Sequence, residues 1–85
     1  MSREDVDRTV REILQTVLGR RFARHEEIRR SRESAWDSLA HVNILFSIES
    51  ELGIQFRADE LDDLDSLEKL VAAAEAHLQP IAYPP

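Results

Sequence analysis

The two glycines of this chain, Gly19 and Gly53, each stand just past a run of apolar residues at helical spacing. Glycine most readily takes the left-handed conformation that ends a helix, so the pair divides the chain into helical segments. Before Gly19, Val6, Val10, Ile13, Leu14, Val17 and Leu18 share one helical face. Ser2, with Asp5 three residues later, has the outline of a capping box in which Asp replaces the usual Glu or Gln, so a first helix is predicted from Ser2 to Leu18. The run before Gly53 predicts a second helix from Ser38 to Leu52. A third, from Asp65 to Leu78, follows from Leu67, Leu70, Val71, Ala74 and Leu78, with Asp65 and Glu68 as a capping-box-like start. The small residues Ala72 to Ala74 would let this helix approach its neighbours closely. Pro80 should end it, leaving 80–85 as a frayed tail.

The second helix differs from the others. At 100° per residue, His41, Ile44, Leu45, Ile48 and Leu52 fall within one arc about 100° wide, which is the expected core stripe. Leu39, Val42 and Phe46 form a separate arc on the far side. A second stripe either packs inside a small bundle or faces a partner.

Residues 20–35 lack a sustained period and hold six arginines against three glutamates. A loop of this length in a small domain is functional or tied down. Phe22 and Ile28 are the expected tethers, with the arginines remaining in water. The segment is either a solvated basic loop or an electrostatic contact for a partner or a phosphate-bearing cofactor. After Gly53, Ile54 and Phe56 should turn inward from a loop, and Ala58 to Asp63 should form one short helical turn anchored by Leu61 and Leu64. The expected fold is all-α: three longer helices and a short one around one core, as a single domain over residues 1–79.

A chain of 85 residues buries only about 60 to 65% of its unfolded surface, so one modest core and no enclosed pocket of enzymatic size are expected. The net charge of −6 argues against nucleic-acid binding, which needs a basic surface. Without cysteine there are no disulfides, thiolate metal sites or cysteine nucleophile. The charged start Met1-Ser2-Arg3-Glu4-Asp5 has no apolar signal core, and no run approaches membrane-spanning length, so a cytoplasmic monomer is expected.

Ser38 is the candidate site. It falls in the first turn of the second helix, where unpaired backbone N–H groups and the positive end of the helix dipole favour a phosphate. Asp37 is the expected N-cap. Asp-Ser is also simply a good helix start, and the chain repeats the tripeptide as Asp65-Ser66-Leu67, where that plain reading suffices. Only Ser38 precedes a helix with a second apolar stripe. His41 lies beside the core stripe and reads as structural rather than as a general base. No G-x-S-x-G surrounds either serine, and no glycine-rich phosphate loop is present. Residues 59–68 lack the glycine of a calcium loop, and the three histidines have no zinc spacing.

Asp37-Ser38-Leu39 opening a helix that runs through Ile44-Leu45-Phe46-Ser47-Ile48-Glu49-Ser50-Glu51-Leu52-Gly53-Ile54 resembles the phosphopantetheine attachment region of acyl carrier proteins. The resemblance spans roughly residues 36–78, and the first helix fits in pattern only. It implies a small four-helix carrier whose Ser38 is esterified with 4′-phosphopantetheine by a separate phosphopantetheinyl transferase. Acyl or aminoacyl groups would ride the arm as thioesters, loaded by a ligase or synthase and passed to pathway enzymes, with no catalysis by the chain itself. It also implies that Leu39, Val42, Phe46 and Glu49 face those partners. Ala35-Trp36 stands where that family often has Gly, the preceding loop is arginine-rich, and Ala40, Asn43 and Ser50 replace commonly acidic positions. These departures look more like stand-alone carriers of specialised pathways, such as polyketides, secondary metabolites or surface sugars. The rival expectation is an unmodified acidic adaptor that docks a partner through Leu39, Val42 and Phe46.

Overall fold

A computed structural model of the protein describes residues 2–78, and the Pro80 stop, the tail at 80–85 and the domain end at 79 lie outside them. The described chain is helical: α1 (Arg3–Leu18), α2 (Ser38–Leu52) and α3 (Leu67–Leu78), with 3-10 turns at Arg30–Arg32 and Leu61–Asp63. The capping box at α1 forms with aspartate. Ser2 Oγ accepts from the Asp5 N–H at 3.2 Å, and Asp5 Oδ2 accepts from the Ser2 N–H at 3.3 Å. Gly19 and Gly53 end α1 and α2 at φ of 72° and 65°, and their N–H groups donate to the carbonyls of Gln15 and Glu49.

The core gathers on α1, which packs against both α2 and α3 while those two meet each other less. Val6, Val10 and Leu14 of α1 are fully buried, as are Ile44 and Ile48 of α2 and Leu70 of α3. Each such side chain contributes about 1.5–3 kcal/mol by leaving water. The α1 stripe is narrower at its edges than its periodicity suggests, because Ile13 and Val17 are only partly buried.

The expected fourth helix is a 3-10 turn. Successive bonds run from the N–H groups of Glu60, Asp63 and Leu64 back three residues to Arg57, Glu60 and Leu61, and none closes an α-helical ring. The Glu60 carboxylate caps the Arg57 N–H at 2.7 Å, which fixes a tight turn at the start of the segment. With only Leu61 half-buried and Leu64 buried as anchors, too few residues are held to extend it.

The loop over 20–35 is tied down more fully than by its two tethers. Phe22 and Ile28 are buried as expected. Residues 28–30 also pair antiparallel with 65–67: the Arg30 N–H donates to Asp65 O at 2.8 Å, and the Leu67 N–H donates to Ile28 O at 2.9 Å. The expectation that the loop arginines remain in water is corrected for Arg30, which is half-buried, whereas Arg20 stays exposed while pairing within the loop. Arg20 donates to the Glu26 and Glu33 carboxylates and lies 3.8 Å from the centre of the Phe22 ring, while Arg30 Nε donates to Trp36 O. From α1, Arg11 reaches Ala23 O and Glu26 O, both at 2.9 Å. A loop without its own helix needs such donors for its carbonyls. Arg21, Arg24 and Arg32 are exposed.

Candidate functional site

The head of α2 is set by a buried aromatic just ahead of it. Trp36 is 3% exposed, and its Nε1–H donates to His41 Nδ1 at 2.9 Å. His41 Nε2 in turn lies 2.9 Å from Leu61 O. Because Nδ1 must accept, the imidazole is the neutral tautomer that donates from Nε2, so one chain of hydrogen bonds runs from Trp36 through α2 to the Leu61–Asp63 turn. Trp36 and His41 occupy the residue before the N-cap and the fourth residue of the helix, which are the positions of a hydrophobic staple. Their ring centroids are 6.0 Å apart. The expected structural role of His41 agrees with this arrangement. Trp36 as its partner was missed, although an aromatic directly before an Asp-Ser helix start, five residues ahead of a histidine on the core stripe, is a staple pattern that could have been read.

With Trp36 anchored, Asp37 becomes the N-cap. Its Oδ1 accepts from the Ala40 N–H at 2.8 Å, and its carbonyl accepts from the His41 N–H at 2.9 Å. Ser38 is then the first helical residue and is exposed. Neither its hydroxyl nor the N–H groups of Ser38 and Leu39 find a partner among the described residues. The site is thus a solvent-facing hydroxyl beside two unpaired donors at the positive end of a helix. The residue before Ser38 is the capping Asp37, and the Arg30 side chain reaches the carbonyl of Trp36, two residues before Ser38.

The second tripeptide folds differently. Ser66, not Asp65, caps α3: its Oγ accepts from the Lys69 N–H at 3.1 Å and its carbonyl from the Leu70 N–H at 2.9 Å. The capping pair expected between Asp65 and Glu68 is corrected accordingly. Asp65 gives its carbonyl to Arg30 and its carboxylate to Lys69, and the helix starts at Leu67. The same three residues are therefore read one position apart. Leu39 is 71% exposed and its counterpart Leu67 is 5% exposed.

Leu39, Val42 and Phe46 are the exposed large hydrophobic residues among those described, at 71%, 60% and 70%. With Ser38 they fall within about 100° of the α2 circumference. Glu49 falls on this face between Ser38 and Val42, and its Oε2 accepts from the Phe56 N–H at 2.8 Å, a bond that holds the turn after Gly53. No protein-family model, curated protein or solved structure matches the chain. Its site therefore rests on its own geometry.

Elsewhere a groove of about 830 Å³ lies between the start of α1, residues 25–31 and the head of α3, and Ser38 is not part of its lining. Among the described residues no group of acidic and histidine side chains is placed to hold a metal ion, and no helix is long and apolar enough to cross a membrane.

Proposed function

We propose that the chain is a carrier protein whose Ser38 hydroxyl holds a 4′-phosphopantetheine arm. The observation that supports this reading is the contrast between two identical tripeptides. Ser66 spends its hydroxyl as a helix cap, while Ser38 presents a hydroxyl with no internal bond, next to a face of three exposed apolar side chains. The geometry suits the group: Ser38 Oγ is accessible to a transferase, and the Ser38 and Leu39 N–H groups are available to a phosphodiester oxygen. In the attachment the Ser38 oxygen bonds to the phosphorus that bears the pantetheine in a nucleotide pyrophosphate donor, the P–O bond of that anhydride breaks, the nucleotide phosphate leaves, and the serine proton passes to the transferase. The arm supplies a terminal thiol on which acyl or aminoacyl groups travel as thioesters. Leu39, Val42 and Phe46 offer the surface on which transferase, loading enzyme and downstream enzymes dock, and Asp37 holds the helix start in place. The setting is a specialised biosynthetic pathway in the cytoplasm, with the chain acting as a monomer and not as an enzyme.

Coexpression with a broad-specificity phosphopantetheinyl transferase, read by intact mass, should add one arm to the wild type and to Ser66→Ala and none to Ser38→Ala. A wild type that stays unmodified would sink the proposal. The exposed stripe also favours a second reading, an adaptor that docks without any covalent group. In that case Val42→Glu or Phe46→Glu abolishes partner binding by the unmodified protein, and Ser38→Ala retains full function.

A further inference from the structure

Resting on the carrier reading, we infer that the cargo stays outside the helices, because the Trp36–His41–Leu61 hydrogen bonds latch the seam that a chain leaving Ser38 would enter. The protein is therefore suited to short or polar acyl and aminoacyl groups rather than long apolar ones. An apolar chain in water gains by entering a protein interior, and the way in from Ser38 runs along α2. One turn on, and about 60° towards the core, stands His41. It is 6% exposed, and both ring nitrogens are engaged, one with a side chain from before the helix and one with the carbonyl of the Leu61–Asp63 turn. Parting α2 from that turn would leave the imidazole N–H without a partner and Leu61 O with only the 3.4 Å bond from the Leu64 N–H, and disturbing Trp36 would orphan a buried indole N–H, each a costly state.

Behind the latch the side chains are buried. Ile44 and Ile48 are fully buried, Leu64 is 4% exposed, and no buried polar side-chain atom among the described residues lacks a partner. The grooves between α1 and the head of α3, beside Arg57 and His77, and along Arg3 to Arg11 lie elsewhere, and none of them is lined by Ser38, His41 or Leu61. A cargo that needs shelter would have to break a satisfied polar chain and repack a full core.

The test uses the full chain carrying its arm, acylated on the thiol with butanoyl, octanoyl or dodecanoyl groups. The wild type should show the same melting temperature across the series, and the Trp36 Nε1–H resonance should keep its position. His41→Ala, which removes the latch and leaves space behind it, should gain a melting temperature that rises with chain length. A wild-type melting temperature that climbs by several degrees with each lengthening, or a displaced Trp36 Nε1–H signal, overturns the inference. A folded His41→Ala that stays as flat as the wild type overturns the role of the latch. If that variant does not fold, the wild-type series decides alone. Failure of the arm to attach appears in the mass spectrum before any acylation and overturns both readings, whereas chain-length dependence in an armed protein overturns only this one.

Discussion

A serine beside an aspartate can cap a helix or stand clear of it, and the two Asp-Ser-Leu tripeptides show both outcomes. The choice is made by the residue four places into the helix. Capping by Asp37 brings Trp36 against His41, whereas capping by Asp65 would set Leu64 over the charged Lys69. Ser66 therefore takes over as cap at α3. The register difference makes a stability prediction that does not depend on function. Asp37→Ala and Ser66→Ala should each cost about 1 kcal/mol by losing a cap. Ser38→Ala should stay within about 0.5 kcal/mol of the wild type. Asp65→Ala loses one exposed pairing with Lys69 and should cost less than either cap. Urea unfolding of the four unmodified variants measures this, and equal losses at the two serines would contradict the register. Both candidate caps at α3 were visible in the sequence, but the Arg30 N–H on the Asp65 carbonyl, which helps to hold Asp65 outside the helix, was not, because no local pattern contains that contact.

The loop over 20–35 shows how an irregular element is held by charges that its sequence leaves ambiguous. Six arginines near three glutamates suggest a solvated basic stretch, yet Arg20 alone binds Glu26 and Glu33 and covers Phe22. The Arg20 guanidinium is the main reason that both carboxyls are held below the usual glutamate range, and the Ala23 N–H assists at Glu26. A carboxyl with a lowered folded value binds fewer protons folded than unfolded, so its stabilisation is complete above the ordinary value of about 4.3 and is lost as pH falls through the folded value. Denaturant midpoints should therefore hold from neutral pH down to about that value and then fall, and Arg20→Gln should flatten the fall. An unchanged acid limb in Arg20→Gln would count against the pairing. The helices and the Phe22 and Ile28 tethers were legible because burial imposes a period or isolates an apolar residue. The arginine partners were not, because a long side chain reaches any acid within its radius whatever the spacing.

At the scale of the whole molecule, α1 is the shared support, and α2 is the helix that serves two surfaces. Its core stripe and its second stripe were both readable from residue angles. The sequence left open whether the second stripe packed inside the bundle, and three helices give it nothing to pack against. The short turn expected over 58–63 is present only as the 3-10 turn Leu61–Asp63, because Leu61 and Leu64 signal burial without signalling length. The antiparallel pairing of 28–30 with 65–67 also has a bearing on the order of assembly. Those two hydrogen bonds close a segment that contains all of α2, and the entropy of closing it is lost before the bonds form. The α1 and α2 pair, with nearer contacts along the chain, is then predicted to form first and α3 to lock on last. Native-state amide exchange should show Arg30 and Leu67 opening together, at lower free energy than Leu14 and Ile48. A common exchange free energy for all four would mean that the three helices assemble as one unit. If α3 does open first, it frees residues 28–30, and with them the arginine-rich loop, from their far anchor, while Trp36 still latches the head of α2 through His41.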